Sequence, residues 1–110
     1  LNVDKMKEAI KNFEGKHDFS AFKASGTSSK SSVREIYKAE IIDKDEKIYI
    51  ELTGNGFLYN MVRIIAGTLV DVGLGKIEPE DIPKIIESKK RENAGKTLPP
   101  HGLYLMEVNY

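Results

Sequence analysis

Residues 54–70 read Gly-Asn-Gly-Phe-Leu-Tyr-Asn-Met-Val-Arg-Ile-Ile-Ala-Gly-Thr-Leu-Val, and the rest of the chain is arranged around them. Between Glu51 and Asp71, the only charged residue is Arg63. A surface helix carries its charges on a wet face, so a helix this apolar is predicted to be buried on most sides. Because a buried guanidinium without an anion is costly, we expect Arg63 to lie beside a carboxylate, a phosphate or a water-filled cleft.

The same stretch carries a narrow stripe of polar and small residues at helical spacing: Asn60, Arg63, Gly67 and Asp71. One interpretation makes this stripe the floor of a site. The other is an internal ion pair between Arg63 and Asp71, or a contact at the helix end. The pattern alone leaves both interpretations open.

The composition restricts the class of protein. The chain has 110 residues, of which 40% are hydrophobic and 31% charged, as is typical of one globular domain with a single core. Seventeen basic residues balance seventeen acidic ones, which counts against a free-standing nucleic-acid-binding protein. The absence of cysteine excludes disulfides and thiolate metal sites. The central apolar run is too short to span a membrane, so we expect no membrane partner.

The patterns on either side predict elements of both kinds. In order they are a helix ending near residues 13–14, a short turn over 16–22, a strand over 33–42 with a bulge near 36–37, a strand over 48–53, the central helix, a helix over 78–89 and a last strand over 103–110. The last strand is nearly continuously apolar and is expected at the centre of its sheet. This order predicts an α+β fold with one mostly antiparallel sheet backed by helices on one face.

Residues 24–32 read Ala-Ser-Gly-Thr-Ser-Ser-Lys-Ser-Ser and are predicted to form a loop. The hydroxyls of this loop, with the cations Lys23, Lys30 and Arg34, could contact phosphates; the alternative is a solvated linker. His17, which stands beside Asp18, is interpreted as a structural residue.

Five motifs then occur in order along the chain: Gly-Lys-His-Asp-Phe-Ser-Ala-Phe (15–22), Ser-Val-Arg-Glu-Ile (32–36), the block 54–69, Val-Gly-Leu-Gly-Lys (72–76) and His-Gly-Leu-Tyr-Leu (101–105). Together they resemble the C-terminal half of the tRNA pseudouridine synthase A family. The resemblance covers essentially the whole chain, and Phe-Leu-Tyr-Asn-Met-Val-Arg is its most specific part. Residues 1–110 are therefore expected to be half of a pseudouridine synthase fold.

The resemblance implies an enzyme that isomerises uridine to pseudouridine in the tRNA anticodon stem–loop. It implies a cytoplasmic homodimer that needs no cofactor or metal and holds the RNA in a basic cleft. In such enzymes an aspartate attacks the nucleotide, the glycosidic bond breaks, and the base turns and rejoins through carbon, after the base has left its stack.

The resemblance also implies roles for individual residues. Arg63 corresponds to the arginine that pairs with the nucleophilic aspartate, and Leu103 to an apolar residue lining the uracil pocket. Tyr59 and Asn60, in the same block as Arg63, are expected to contact substrate. The three cations Lys23, Lys30 and Arg34 are expected RNA contacts by charge alone.

Some features of the family are absent from this sequence. Its Gly-Arg-Thr-Asp segment, which carries the nucleophile, and its base-stacking tyrosine belong to the N-terminal half, and Leu74 stands where many members have a basic residue. The chain begins with Leu1 rather than methionine. We therefore expect half of an enzyme, inactive alone; the alternative is a stand-alone RNA-binding or dimerisation module without catalytic activity. A third interpretation, with Asp18 or Asp71 as the nucleophile of another reaction, rests only on the presence of a carboxylate.

Overall fold

The computed structural model of the chain describes residues 1–24, 31–45, 47–98 and 104–109. The helices in these ranges are α1 (Val3–Ile10), α2 (Met61–Gly73) and α3 (Asp81–Ser88). The strands are β1 (Gly15–Asp18), β2 (Val33–Lys44), β3 (Lys47–Gly54) and β4 (Tyr104–Asn109). Single turns of 3-10 helix occupy residues 11–13, 20–22 and 91–93. The predicted α+β fold is confirmed.

The strands form one sheet in the order β1-β2-β3-β4. The first two pairings are antiparallel, and β4 is parallel to β3. The sheet is therefore mostly antiparallel, as predicted. The predicted bulge is also confirmed, because the β2–β3 register shifts between Ile36 and Lys38.

One face of the β2–β3 hairpin is buried and the other is only partly covered. The paired residues Ala39 and Leu52, and the next inward pair, Ile41 and Ile50, are at most 7% exposed. Residues between them along each strand are half-buried, which is the period-2 pattern of a sheet covered on one side. The bulge extends the buried row to Ile36, three residues before Ala39, where strict alternation would have turned its side chain to the other face.

The hydrophobic core lies between this face and the helices. Nine of the thirteen residues of α2 are buried, which confirms the burial predicted for the central stretch. Asn2 caps α1 by accepting a hydrogen bond from the Lys5 backbone N–H. Phe19 and Phe22 are fully buried, and the Phe22 ring meets Phe13 edge-on at a centroid distance of 5.1 Å.

Three predictions about elements were wrong. Residues 15–18 form β1 and not part of a turn, because the edge of β2 offers them hydrogen-bond partners that no local pattern reveals. The central helix begins only at Met61, because Asn60 adopts a left-handed conformation with φ of 60°. Within the described residues β4 ends the strand order and is not central. A continuously apolar sequence predicts that both faces of a strand are covered, but it does not predict whether both of its edges are paired.

Candidate functional site

Asn60 immediately precedes α2, and Arg63 lies in the first turn of this helix. Asn60 is the N-cap residue, and asparagine is one of the few residues that enter the left-handed region at low cost. An N-cap asparagine ordinarily accepts a hydrogen bond from a backbone N–H of the first turn, but the Asn60 side chain caps nothing. Its Oδ1 instead accepts a hydrogen bond from Nη1 of Arg63 at 3.2 Å.

The Arg63 guanidinium is half-buried and held from two sides. Besides the bond to Asn60, its Nε donates to the backbone carbonyl of Leu98 at 2.6 Å. The Leu98 N–H in turn donates to the Arg63 carbonyl at 3.2 Å. Both acceptors of the guanidinium are neutral, so they fix its direction without compensating its charge.

Within the described ranges, Arg63 has no carboxylate within salt-bridge distance. The ion pair with Asp71, considered as an alternative from the sequence, is absent, although both side chains lie in the described part of the chain. The two hydrogen bonds use two of the five N–H groups of a guanidinium. The remaining face of the side chain has the donors and the charge to bind an anion in bidentate fashion.

The position of Arg63 in the helix also favours an anion beside it. Arg63 is the third residue of α2, and a cation in the first turn of a helix is opposed by the helix dipole. An anion placed there interacts favourably with both the dipole and the guanidinium. A cation in the first turn, where the helix dipole disfavours it, is more typical of a functional site than of a stabilising contact.

The stripe predicted along α2 is only partly an open surface. Asn60 and Arg63 contact each other, as their spacing predicts. At Gly67, however, the backbone of Lys96 lies so close that a Cβ added there would stand 1.7 Å from its carbonyl oxygen. We call residues 94–98, which cover this part of the stripe, the strap. The interpretation of the stripe as the floor of a site therefore does not extend to Gly67, which the strap covers.

The strap is the feature that the sequence analysis missed. Residues 93–98 lie in a segment without periodicity, and nothing in their composition predicts that they dock on α2. The available signal was a pair of glycines: Gly67 on the helix and Gly95 in the loop, which meet in the structure.

The other predicted substrate residues surround the turn between β3 and α2. Tyr59 is 67% exposed, and its carbonyl accepts a hydrogen bond from the Ala24 N–H, next to Lys23. The Arg34 side chain lies against Gly56, with its Nε 3.5 Å from the position of a Cβ there. The structure thus brings Lys23, Arg34 and Tyr59 to the turn that leads into the Arg63 helix.

Local electrostatics moderates this cationic surface. Asp18 accepts hydrogen bonds from the hydroxyl and the N–H of Ser20, and the hydroxyl bond is the main cause that lowers the pKa of Asp18. Lys89 and Lys23 lower this pKa further. Asp18 therefore places a negative charge near Lys89 and Lys23.

A statistical model of a protein family, described as tRNA pseudouridine synthase, matches residues 9–110 of the chain. The chain belongs to the tRNA pseudouridine synthase family. Among its curated relatives, tRNA pseudouridine synthase A of Acetivibrio thermocellus and that of Caldicellulosiruptor bescii are each 54% identical to it over 110 residues. A third, tRNA pseudouridine synthase A 1 of Bacillus cereus, is 51% identical over the same length. These matches cover 100% of the chain and only 44–45% of each relative, so the chain spans less than half of their length.

Leu103 and Lys30 lie outside the described residues. The resemblance gave a role to Leu103, and charge alone gave one to Lys30. His17 contacts the Glu14 carbonyl through Nε2 at 2.9 Å and meets the Phe19 ring edge-on, which agrees with a structural residue. In the described ranges, no three His, Asp or Glu side chains are grouped so as to bind a metal ion. None of the helices in those ranges has the length and apolarity to cross a bilayer.

Proposed function

We propose that this chain supplies one wall of the active site in a tRNA pseudouridine synthase that isomerises uridines of the anticodon stem–loop in the cytoplasm. In this proposal, Arg63 pairs with the aspartate nucleophile, which another part of the protein contributes. The observation that carries the proposal is the state of Arg63. Its guanidinium is oriented by two neutral oxygens, while no carboxylate of the described residues compensates its charge.

The proposed pairing has a direct chemical use. A guanidinium beside a carboxylate lowers the pKa of the acid, so the aspartate stays ionised and available to attack. In this proposal the carboxylate lies on the side of the guanidinium that the bonds to Asn60 and Leu98 leave free. The same cation would help to hold the aspartate in place while the base turns and rejoins, since it stays charged throughout.

The turn that precedes α2 is proposed as part of the RNA-binding surface. Tyr59 is exposed and offers an aromatic ring on which a base or ribose can pack, and Asn60, the next residue, accepts a hydrogen bond from Arg63. Arg34 and Lys23 would contact phosphates next to it, and Lys30 joins them by charge. Leu103 is proposed to line the uracil pocket. The whole enzyme is proposed to act as a homodimer, without a cofactor or metal.

The test uses the natural full-length protein that contains this chain, and measures tritium release from tRNA carrying 5-tritiated uridine. We expect Arg63→Ala to lower kcat at least about 100-fold, as loss of a preorganised charged donor does elsewhere, while the KM and Kd for tRNA change little. Arg34→Ala is the contrasting arginine variant, expected to raise KM with little effect on kcat. Lys84→Ala, on the exposed side of α3, removes a cation and is expected to change neither value.

Three results would contradict the proposal. An equal loss of tRNA binding and turnover in Arg63→Ala would make Arg63 an RNA contact and not the partner of the nucleophile. Tritium release by residues 1–110 alone would show that a nucleophile lies within the chain. Binding of tRNA without any turnover, by the full-length protein, would favour the alternative of a non-catalytic RNA-binding module.

A further inference from the structure

We infer that the strap, residues 94–98, sets the direction of the Arg63 guanidinium, and that Thr68 is the positioning residue that holds the strap on α2. The effect on catalysis rests on the role proposed for Arg63. The effect on the Arg63 side chain itself does not, because it follows from contacts within this chain.

The strap is bonded to α2 at both of its ends. At one end the Gly95 N–H donates to the Thr68 hydroxyl at 2.8 Å. At the other, Leu98 and Arg63 exchange two hydrogen bonds, one between their backbones and one from the guanidinium Nε to the Leu98 carbonyl. The carbonyl that orients Arg63 therefore belongs to a short segment whose other end is fixed by Thr68.

The lengths of the two paths agree with this arrangement. From Gly95 to Leu98 the chain advances three residues, about 10 Å when extended. From Thr68 back to Arg63 the helix spans five residues, about 7.5 Å at 1.5 Å per residue. The strap is thus only slightly longer than the distance it spans along the helix between its two contacts. A shift of Gly95 is therefore transmitted to Leu98.

Two glycines permit the close approach that these bonds need. A Cβ at Gly67 would stand 1.7 Å from the Lys96 carbonyl oxygen, and a Cβ at Gly95 would stand 2.7 Å from the Thr68 backbone. Both obstacles are backbone atoms, which cannot turn away as the end of a side chain can. The strap therefore lies directly against the helix backbone.

Arg91 also forms hydrogen bonds to the strap. Its Nη1 donates to the Gly95 carbonyl at 2.7 Å and its Nη2 to the Thr97 hydroxyl at 3.3 Å. Because Arg91 lies in the 3-10 turn after α3, an element other than α2 also holds the strap.

Thr68 is chemically suited to the role and has no other evident use. It is fully buried in an apolar helix, where threonine is a poor helix former. Its hydroxyl donates to the Ile64 carbonyl at 2.8 Å and accepts from Gly95, so both functions of the group are engaged. Valine has nearly the same shape and can do neither.

The first experiment follows the Arg63 Nε–H by NMR in this chain, as its chemical shift and its rate of exchange with solvent. We expect Thr68→Val to speed exchange roughly tenfold, the factor that corresponds to one lost hydrogen bond, and Thr68→Ser to restore the wild-type signal. Ile82→Val, which removes a buried methyl group from α3, is the control and is expected to leave the signal unchanged. Arg91→Lys removes the two guanidinium bonds to Gly95 and Thr97 without opening a cavity. This variant provides the same test if Thr68→Val does not fold.

The second experiment measures catalysis in the natural full-length protein. We expect Thr68→Val to lower kcat about 10- to 100-fold, as small misplacements of a reacting group do, with the KM for tRNA little changed and with activity recovered in Thr68→Ser. An unchanged Arg63 Nε–H signal in both Thr68→Val and Arg91→Lys would overturn the inference, as would a raised KM with an unchanged kcat. If the wild-type protein releases no tritium, the proposed function fails, while the NMR result still decides whether the strap orients Arg63.

Discussion

Replacing Gly67 by alanine changes the free energy of unfolding in a direction that depends on the strap. In an exposed helix this change stabilises by about 1 kcal/mol, because alanine is the better helix former. Here the added Cβ would stand 1.7 Å from the Lys96 carbonyl oxygen, about half an ordinary contact distance, so the strap must lift away. Lifting breaks the bond from Gly95 to Thr68 and the two bonds between Leu98 and Arg63.

Each of the three hydrogen bonds contributes about 1 kcal/mol, so their loss outweighs the gain in helix propensity. We expect a net destabilisation of about 2 kcal/mol, read as a fall of about 1 M in the midpoint of urea unfolding followed by circular dichroism. Gly73→Ala is the matched control in the same helix. Its Cβ would stand 2.8–3.3 Å from side-chain atoms of Met6 and Leu1, which can shift more easily than the Lys96 backbone, so a smaller cost than that of Gly67→Ala is expected. A midpoint for Gly67→Ala equal to or above that of the wild type would refute the packing argument.

Three further predictions use the same unfolding assay. Phe22→Ala should lower the free energy of unfolding by about 3–5 kcal/mol because the ring is fully buried. Tyr37→Ala, at a residue 57% exposed, should change it by no more than about 0.5 kcal/mol. Equal losses in the two variants would contradict the assignment of Phe22 to the core. Ser20→Ala removes the main group that lowers the folded-state pKa of Asp18 below 3.8. That carboxylate stabilises the fold above its unfolded pKa and ceases to do so as the pH falls through the lower folded value. The loss caused by the variant should therefore be larger at pH 7 than at about pH 2, and a loss independent of pH would exclude this linkage. Lys89 follows the last residue of α3 and has a left-handed backbone, with φ of 58°. Lys89→Gly should stabilise the fold by about 0.5–1 kcal/mol, because the relief of left-handed strain exceeds the cost of the added freedom of the unfolded chain. A lower unfolding midpoint would show that another contact of Lys89 matters more.

The parts of the fold that were predicted correctly are those whose evidence is local. The β2–β3 hairpin follows from alternation and a polar turn, and the bulge from one break in that alternation. The burial of α2 follows from its apolar composition, since Arg63 and Asp71 are the only charged residues among its thirteen. The pairing of β1 could not be predicted in this way, because its partner lies on β2 and its own four residues carry no periodic pattern.

The candidate site shows the same division. The expectation that Arg63 needs partners came from the cost of burying a lone cation, and the structure supplies two neutral oxygens in the described residues. That one of them is the Leu98 carbonyl could not be predicted, since backbone oxygens carry no sequence signature. The contact depends on two glycines 28 positions apart, Gly67 and Gly95, that permit two backbones to meet.

The parallel pairing of β4 with β3 has a consequence for the order in which the chain folds. Tyr49 pairs with Tyr104, 55 positions later, whereas Lys44 and Lys47 of the hairpin are three positions apart. Closing the longer loop costs more entropy and must wait until α2 and α3 have formed between the strands. We expect the hairpin to form early and the β3–β4 ladder late. The strap, which ends at Leu98, six positions before β4 begins at Tyr104, would then be seated on α2 before the last strand arrives, so the direction of Arg63 would be set before the sheet is complete.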